Sequence, residues 1–267
     1  MSRKEGGRFF SEVRPKKFLG QHFLTDESVA KEITGSLSVP DDSLVIEIGP
    51  GMGVLTHLLL ELPIALKLIE IDHESVEYLH QHYPDLKDKI IEADVLKTDW
   101  SFSDKFSVIG NFPYNISSQI LFKVLEEKNR VVQVVGMFQK EVAERITSAP
   151  GNKNYGILSV LLQAWFDCEY LFTVDKYCFH PPPKVQSGVI RLTRNSRSNL
   201  LCSEADFKKV VKQAFNQRRK TLRNSLKSMM QQHDMELPYS SLRPEQLTWK
   251  QFEEITCFIY KAESESK

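Results

Sequence analysis

Cysteine is scarce in this chain. The four present (Cys168, Cys178, Cys202, Cys257) form no C-x-x-C pair, which argues against a disulfide framework or a cysteine zinc site and fits a reduced compartment. The seven histidines lack metal-ligand spacing; His80 and His82 lie i, i+2 on a predicted helix and do not face each other. No nucleophile–histidine–carboxylate triad stands out, and there is no internal repeat. No apolar run approaches the ~18 residues of a membrane span, and the basic, polar start has no signal-peptide core. The expectation is a soluble, cytoplasmic, metal-free monomer. Net charge is absent too: Lys plus Arg and Asp plus Glu number 35 each, so total charge gives no reason to expect a nucleic-acid partner.

The distribution of charge says more than its sum. Residues 1–17 carry six basic side chains (Arg3, Lys4, Arg8, Arg14, Lys16, Lys17) against two acidic ones. A second cluster holds Arg218, Arg219, Lys220, Arg223 and Lys227, with no acidic residue between Phe207 and Met230. Two such patches on a neutral protein can follow a phosphate backbone locally. The alternative for each is a solvated charged face.

The chain is organised around residues 44–56. An aliphatic run, Leu44-Val45-Ile46-Glu47-Ile48, breaks into Gly49-Pro50-Gly51-Met52-Gly53 and is followed by an apolar, helix-like segment, 54–62. Strand, glycine turn and helix open a βαβ unit. The spacing is G-x-G-x-G, not the G-x-G-x-x-G of pyrophosphate loops. Glu47, two residues before the first glycine, suits a cationic ligand better than a diphosphate. Further strands are predicted at 64–71, 90–95, 106–110, 131–137, 170–174 and 188–192, with helices between the earlier ones. That recurrence predicts an α/β, doubly wound and mostly parallel sheet. Polar residues 195–199 read as a linker. Beyond them the period is helical: Phe207, Val211, Ala214, Phe215, Leu222, Leu226 and Met229 share one side, with Lys220, Arg223 and Lys227 along one flank, and a second helical run covers 245–260. The expected organisation is a basic arm (1–17), an α/β catalytic domain (18–196) and a small all-helical domain (200–267).

Ligands of open α/β sheets bind beyond the carboxyl ends of the strands, and three polar groups fall there. Glu70 can take both hydroxyls of a ribose, Asp94 can accept from the exocyclic amine of an adenine, and Asn111 ends the fourth strand. Asn111-Phe112-Pro113-Tyr114 is the sharpest motif. A proline-fixed turn aims two acceptors, Asn111 Oδ1 and a main-chain carbonyl, at one point, and Tyr114 offers a ring face for a base. Acceptance of both amine hydrogens exposes the nitrogen lone pair to an electrophile. Transfer of a sulfonium methyl needs neither metal nor covalent intermediate, and alignment and charge complementarity carry most of the acceleration.

These residues together resemble the class I S-adenosylmethionine-dependent methyltransferases, and closely one family, the ribosomal RNA adenine dimethyltransferases. The likeness runs from about Lys16 to Tyr260 and includes Gly20-Gln21-His22-Phe23-Leu24, Gln139-Lys140-Glu141-Val142, the triple-proline loop 179–185, and Ala214-Phe215-Asn216-Gln217-Arg218-Arg219-Lys220-Thr221-Leu222-Arg223. The resemblance implies N6-dimethylation of two adjacent adenines in the 3′-terminal hairpin loop of small-subunit (16S) rRNA during ribosome maturation, with the small ribosomal subunit as partner. It implies an S-adenosylmethionine site made by His22, Leu24, Gly49, Gly51, Glu70, Asp94 and Asn111. It also implies a catalytic set in which Asn111 and the Phe112 carbonyl hold the target amine while Tyr114 and Phe179 sandwich the flipped base. RNA contacts then fall to Lys16, Lys17, Arg218, Arg219, Lys220, Arg223 and Lys227. Two positions depart from the family pattern: His22 stands where Asn is usual, and Phe112 replaces the commoner Leu. Competing readings are a large-subunit rRNA methylase, a DNA adenine methyltransferase and a non-catalytic assembly or transcription factor.

Overall fold

The structure is a computed structural model that describes residues 13–230 and 236–265, with side chains to residue 260. Most of the basic arm, including Arg3, Lys4 and Arg8, lies outside the described residues. In chain order the elements are β1 (Phe23–Leu24), α1 (Glu27–Gly35), β2 (Leu44–Ile48), α2 (Thr56–Leu59), β3 (Ala65–Glu70), α3 (His73–His82), β4 (Ile90–Glu92), β5 (Phe106–Asn111), α4 (Ser117–Glu126), β6 (Val131–Gln139), α5 (Lys140–Thr147), α6 (Ile157–Gln163), β7 (Phe166–Val174), β8 (Phe179–His180), β9 (Ser187–Arg194), α7 (Glu204–Asn216), α8 (Leu222–Ser225) and α9 (Trp249–Glu265).

Seven strands form one sheet in the order β4-β3-β2-β5-β6-β9-β7. The first five run parallel, and β9 pairs antiparallel with both β6 and β7. The expected doubly wound, mostly parallel sheet is therefore present. From β2 the chain winds outward to β3 and β4, then returns to β5 on the other side of β2. The strand order thus reverses between β2 and β5, where such sheets bind ligands.

Alternation along the central strands supplies both faces with apolar side chains, as a sheet covered on both sides requires. Ile46, Ile48, Val108, Val134 and Phe138 enter the larger cluster. Val45, Ile109, Val135 and Met137 enter the smaller one, against Ala30 and Ile33 of α1 and Leu79 of α3. Helix α1 starts where Asp26 accepts from the Ser28 and Val29 amides at 3.0 and 3.3 Å, a side-chain N-cap.

Among the described residues beyond 200 the regular elements are helical, and they join the larger cluster through Phe207, Val210, Val211, Ala214, Leu222, Phe252 and Ile255. Phe215 stacks on Phe252 at 5.9 Å. The polar stretch read as a linker is irregular, but it and the adjoining Arg194 at the end of β9 bond inward. Arg194 donates to the carbonyls of Lys128 at 2.8 Å and Trp165 at 2.9 Å, and Arg197 reaches Glu253 at 2.9 Å. The long helix expected over 207–229 is broken: α7 ends at Asn216, and α8 begins only at Leu222. The Gln217 amide donates to Ala214 O and Lys220 N to Gln217 O, a tight turn that puts Arg218, Arg219 and Lys220 in a bend. The basic residues therefore form a corner and not a helix flank.

Phe112, the bulkier replacement, is accommodated from beneath. It is buried, meets Phe138 edge-on at 5.1 Å, and lies over Gly136, where an added Cβ would come within 2.3 Å of the Phe112 ring. Gly136→Ala is expected to cost about 1–3 kcal/mol, the usual range for overpacking. Phe112→Leu should recover part of that loss, so the two substitutions are non-additive in a double-mutant cycle read by urea denaturation. Independent, additive losses would contradict the packing described.

Candidate functional site

The glycine turn sits at the β2 end of the switch point. Gly49, Gly51 and Gly53 have φ of +69°, +56° and +83°, a region that an L side chain enters only with strain. A Cβ on Gly51 would also lie 2.9 Å from the Phe23 ring. The turn separates two adjoining hollows. One, about 810 Å³ including its open mouth, is lined by Leu19, Gly20, His22, Gly49, Gly51, Glu70, Asp94, Asn111, Phe112 and Tyr114, among others. The other, about 870 Å³, is lined by Leu24, Glu47, the glycine turn, Tyr83 and Asn111. Asn111 and the first two glycines border both. The residues predicted for the cofactor pocket are thus gathered in one double cleft.

Two carboxylates are buried at its floor. Glu70, 5% exposed, accepts from the Gly51 amide at 3.1 Å and from the Ile71 and Asp72 amides at 2.9 Å each. Burial pushes its pKa up, against the opposing pull of those amides. Glu47, 1% exposed, accepts from Thr56 Oγ1 at 2.7 Å. Burial raises its pKa to about 8; the Thr56 hydroxyl opposes the rise and the charge of Glu70 adds to it. Neither carboxylate has an ion pair among the described residues. A site of this kind favours a ligand that brings positive charge. Asp94, at the end of the short β4, accepts from the Leu96 amide at 2.9 Å and lines the cleft.

Asn111 is oriented by a main-chain contact: its Nδ2 donates to His22 O at 2.9 Å. A carbonyl only accepts, so the amide nitrogen must face it and Oδ1 is left for the cleft. The His22 side chain turns away from this contact. Its Nδ1 lies 2.8 Å from Pro181 O, and its ring stacks on Tyr114 at 5.5 Å and 29°. His22 therefore meets the site residue Asn111 through its main chain. The Tyr114 hydroxyl pairs with Ser187 Oγ at 2.5 Å, which fixes the ring from β9. No sequence pattern could reveal that partner, 73 residues away.

The roof of the cleft is a strap formed by β1 and β8, paired antiparallel with Leu24 opposite Phe179 and Phe23 opposite His180. Alternation in this ladder turns Phe179 inward. It is 3% exposed, belongs to the smaller cluster with Leu24 and Met137, and does not line the cleft. The ring beside Tyr114 is that of His22.

Three of the predicted RNA contacts are engaged within the protein. Lys16 Nζ pairs with buried Asp72 and lies 3.3 Å from Glu74. Gln21 and Ser75 complete the Asp72 shell at 3.0 and 3.1 Å, so Lys16 anchors the strap. Arg218 donates to Lys153 O at 2.6 Å, and Arg223 pairs with Glu236 at 2.7 Å. Lys17, Arg219, Lys220 and Lys227 are exposed, with no ion pair among the described residues. No group of acidic, histidine or cysteine side chains able to hold a metal occurs among the described residues. No described helix is long and apolar enough to cross a membrane.

Residues 13–261 match the family model for ribosomal RNA adenine dimethylases. The ribosomal RNA small subunit methyltransferase A of Parabacteroides distasonis is 56% identical over 253 residues, 93% of this chain and 95% of that protein. Its counterpart in Flavobacterium johnsoniae is 56% identical over 244 residues, 90% and 94% of the two chains. Among solved structures, a dimethyladenosine transferase from Plasmodium falciparum superposes with a TM-score of 0.77 at 24% identity, covering 91% of this chain and 98% of its own. The 23S rRNA methyltransferase ErmE gives 0.66 at 25% identity, covering 88% and 99%. The fold is that of the class I methyltransferases.

The buried Glu47 has a pH signature. Its carboxyl keeps a proton to about pH 8 in the folded protein but releases it near the ordinary 4.5 when unfolded. The residue's contribution to stability is therefore full below the unfolded value and falls as pH rises toward the folded one. Urea denaturation of ligand-free protein from pH 5 to 8 should show this decline in wild type and a flatter profile in Glu47→Gln. Parallel profiles would contradict a neutral, buried Glu47.

Proposed function

The chain belongs to the ribosomal RNA adenine dimethylase family, and on that premise we propose that it dimethylates N6 of two adjacent adenines in the 3′-terminal hairpin loop of small-subunit (16S) rRNA as the ribosome matures. The observation that carries this reading is the Asn111 amide, pinned by His22 O so that Oδ1 faces the cleft beside the glycine turn.

The residues present fit S-adenosylmethionine. Glu47 and Glu70 are buried carboxylates with no cation on them among the described residues, and the glycine turn lets backbone approach a ligand closely. Glu70 would take the ribose hydroxyls, Asp94 the adenine amine, and Leu24, Gly49, Gly51 and main-chain His22 the remaining contacts. When bound, S-adenosylmethionine supplies an electrophilic methyl on a cationic sulfur and leaves as a neutral thioether. Before the first transfer Asn111 Oδ1 and the Phe112 carbonyl accept the two N6 hydrogens and draw the lone pair out of the ring; before the second, one of them accepts the hydrogen that remains. Each transfer replaces an N–H with N–CH3 and releases one proton, which these acceptors orient but do not take up.

The flipped adenine stacks on Tyr114 in place of the His22 ring. Phe179, in the strap itself, forms the opposite wall once that ring yields. The α/β part, 18–196, performs the chemistry. The helical part, 200–267, docks the subunit, with Arg219, Lys220 and Lys227 toward phosphates and with help from the arm 1–17. The protein is read as a cytoplasmic monomer.

Labelled methyl from S-adenosylmethionine should appear as dimethyladenosine in unmethylated small subunits; label confined to large subunits would overturn the substrate assignment. Asn111→Ala should lower methyl transfer by at least about 100-fold, as loss of one preorganised polar group at a reacting centre does, while small-subunit binding is retained. Transfer at the wild-type rate would remove Asn111 from the mechanism.

A further inference from the structure

The strap that roofs the cleft carries a second pattern. Each of its strands is preceded by a three-residue 3-10 turn, Lys17–Leu19 before β1 and Lys176–Cys178 before β8. Each turn presents a lysine followed by an aromatic residue. Phe18 is 79% exposed and Tyr177 is 78% exposed, and they are the only phenylalanine, tyrosine or tryptophan side chains among the described residues that stand mostly in solvent. Because β1 and β8 are antiparallel, the starts of the two strands lie at opposite ends of the ladder. The two rings therefore flank the strap on either side.

Both turns are fixed to the site. Leu19 and Gly20 line the cleft, and the turn before β8 is capped by Asp175, which accepts from the Tyr177 amide at 3.0 Å. Its Cys178 carbonyl takes the Thr25 amide at 2.8 Å. Lys176 Nζ lies 5.1 Å from the Tyr177 ring centroid, and Lys17 and Lys184 are exposed on the same strap. The nearby acidic groups are used internally. Asp26 caps helix α1, Asp175 caps the turn before β8, and Glu27 pairs with Lys31 at 2.9 Å. A lone exposed aromatic needs no explanation. Two held on rigid turns at the ends of one roof, each next to a cation, make the stacking-plus-phosphate surface that single-stranded nucleic acid binds.

We propose that Phe18 and Tyr177 are stacking platforms for unpaired nucleotides on the two sides of the target adenine, with Lys17, Lys176 and Lys184 on the backbone between them. The inference rests on the RNA-methylating reading above and specifies where the strand lies: along the β1/β8 strap, away from the 218–220 corner. The adenine entering at Tyr114 is then held from both sides in the strand, which offsets the cost of unstacking it.

The test uses the full chain and a single-stranded RNA of about 12 nucleotides centred on two adenines, within the usual site sizes for such surfaces. Phe18→Ala and Tyr177→Ala should each weaken binding about tenfold and the double variant about 100-fold. Phe18→Trp and Tyr177→Phe, which keep the ring, should bind as wild type does. S-adenosylmethionine binding should be unchanged throughout, which also confirms that the variants fold. Wild-type affinity in the double variant, with methyl transfer to small subunits intact in wild type, overturns this inference alone. Normal oligonucleotide binding with weakened subunit binding also overturns it, by placing a ribosomal protein on the rings. Absence of RNA binding and methyl transfer in wild type overturns both readings together.

Discussion

A carboxylate taken out of water with no cation beside it is the constraint on which this site depends. Glu70 meets it by accepting three backbone amides, one of them from Gly51, two residues past the first turn glycine. That amide points at Glu70 only because Gly51 adopts a left-handed conformation, and a side chain there would strike Phe23. The turn, the end of β3 and the underside of the strap are thus coupled through one hydrogen bond. Glu47 meets the same constraint differently, with a single hydroxyl partner and a retained proton. Burial costs either group several kcal/mol if it must ionise alone, so a cationic ligand recovers in binding what folding gave up.

The strap that covers this floor is anchored at both ends. Lys16 and Gln21 converge on buried Asp72 at one end, and Thr25 bonds to Cys178 at the other. Between these anchors the His22 carbonyl turns Asn111, and the His22 ring occupies the face of Tyr114. One residue therefore both orients the amide and covers the ring on which a base would stack. An asparagine at this position could supply the carbonyl but has no ring to lay on Tyr114. The departure from the family pattern at position 22 thus changes what an entering base must displace, and leaves the Asn111 geometry as it is.

The sheet and the floor of the site were legible in the sequence because they rest on local signals. A strand that breaks into alternate glycines, and acidic or amide residues at strand ends, specify backbone geometry and position within a few residues of themselves. What escaped depended on pairing across long separations. The helix expected through 217–221 has the right apolar period, yet its backbone donors find partners in a turn, so the basic residues form a corner. Lys16 looks like an exposed arm cation until Asp72, 56 residues away, is brought against it. Phe179 turns inward because of its register with Leu24, which periodicity in a two-residue strand cannot encode.

The distribution of cations then follows a rule that composition conceals. Some lysines and arginines are taken up by internal partners: Lys16 by Asp72, Arg218 by the Lys153 carbonyl near Glu245, Arg223 by Glu236. Those on turns and the strap, Lys17, Lys184, Arg219 and Lys220, stay exposed. A chain with no net charge can in this way bury carboxylates at its cleft while other cations stay exposed on its surface.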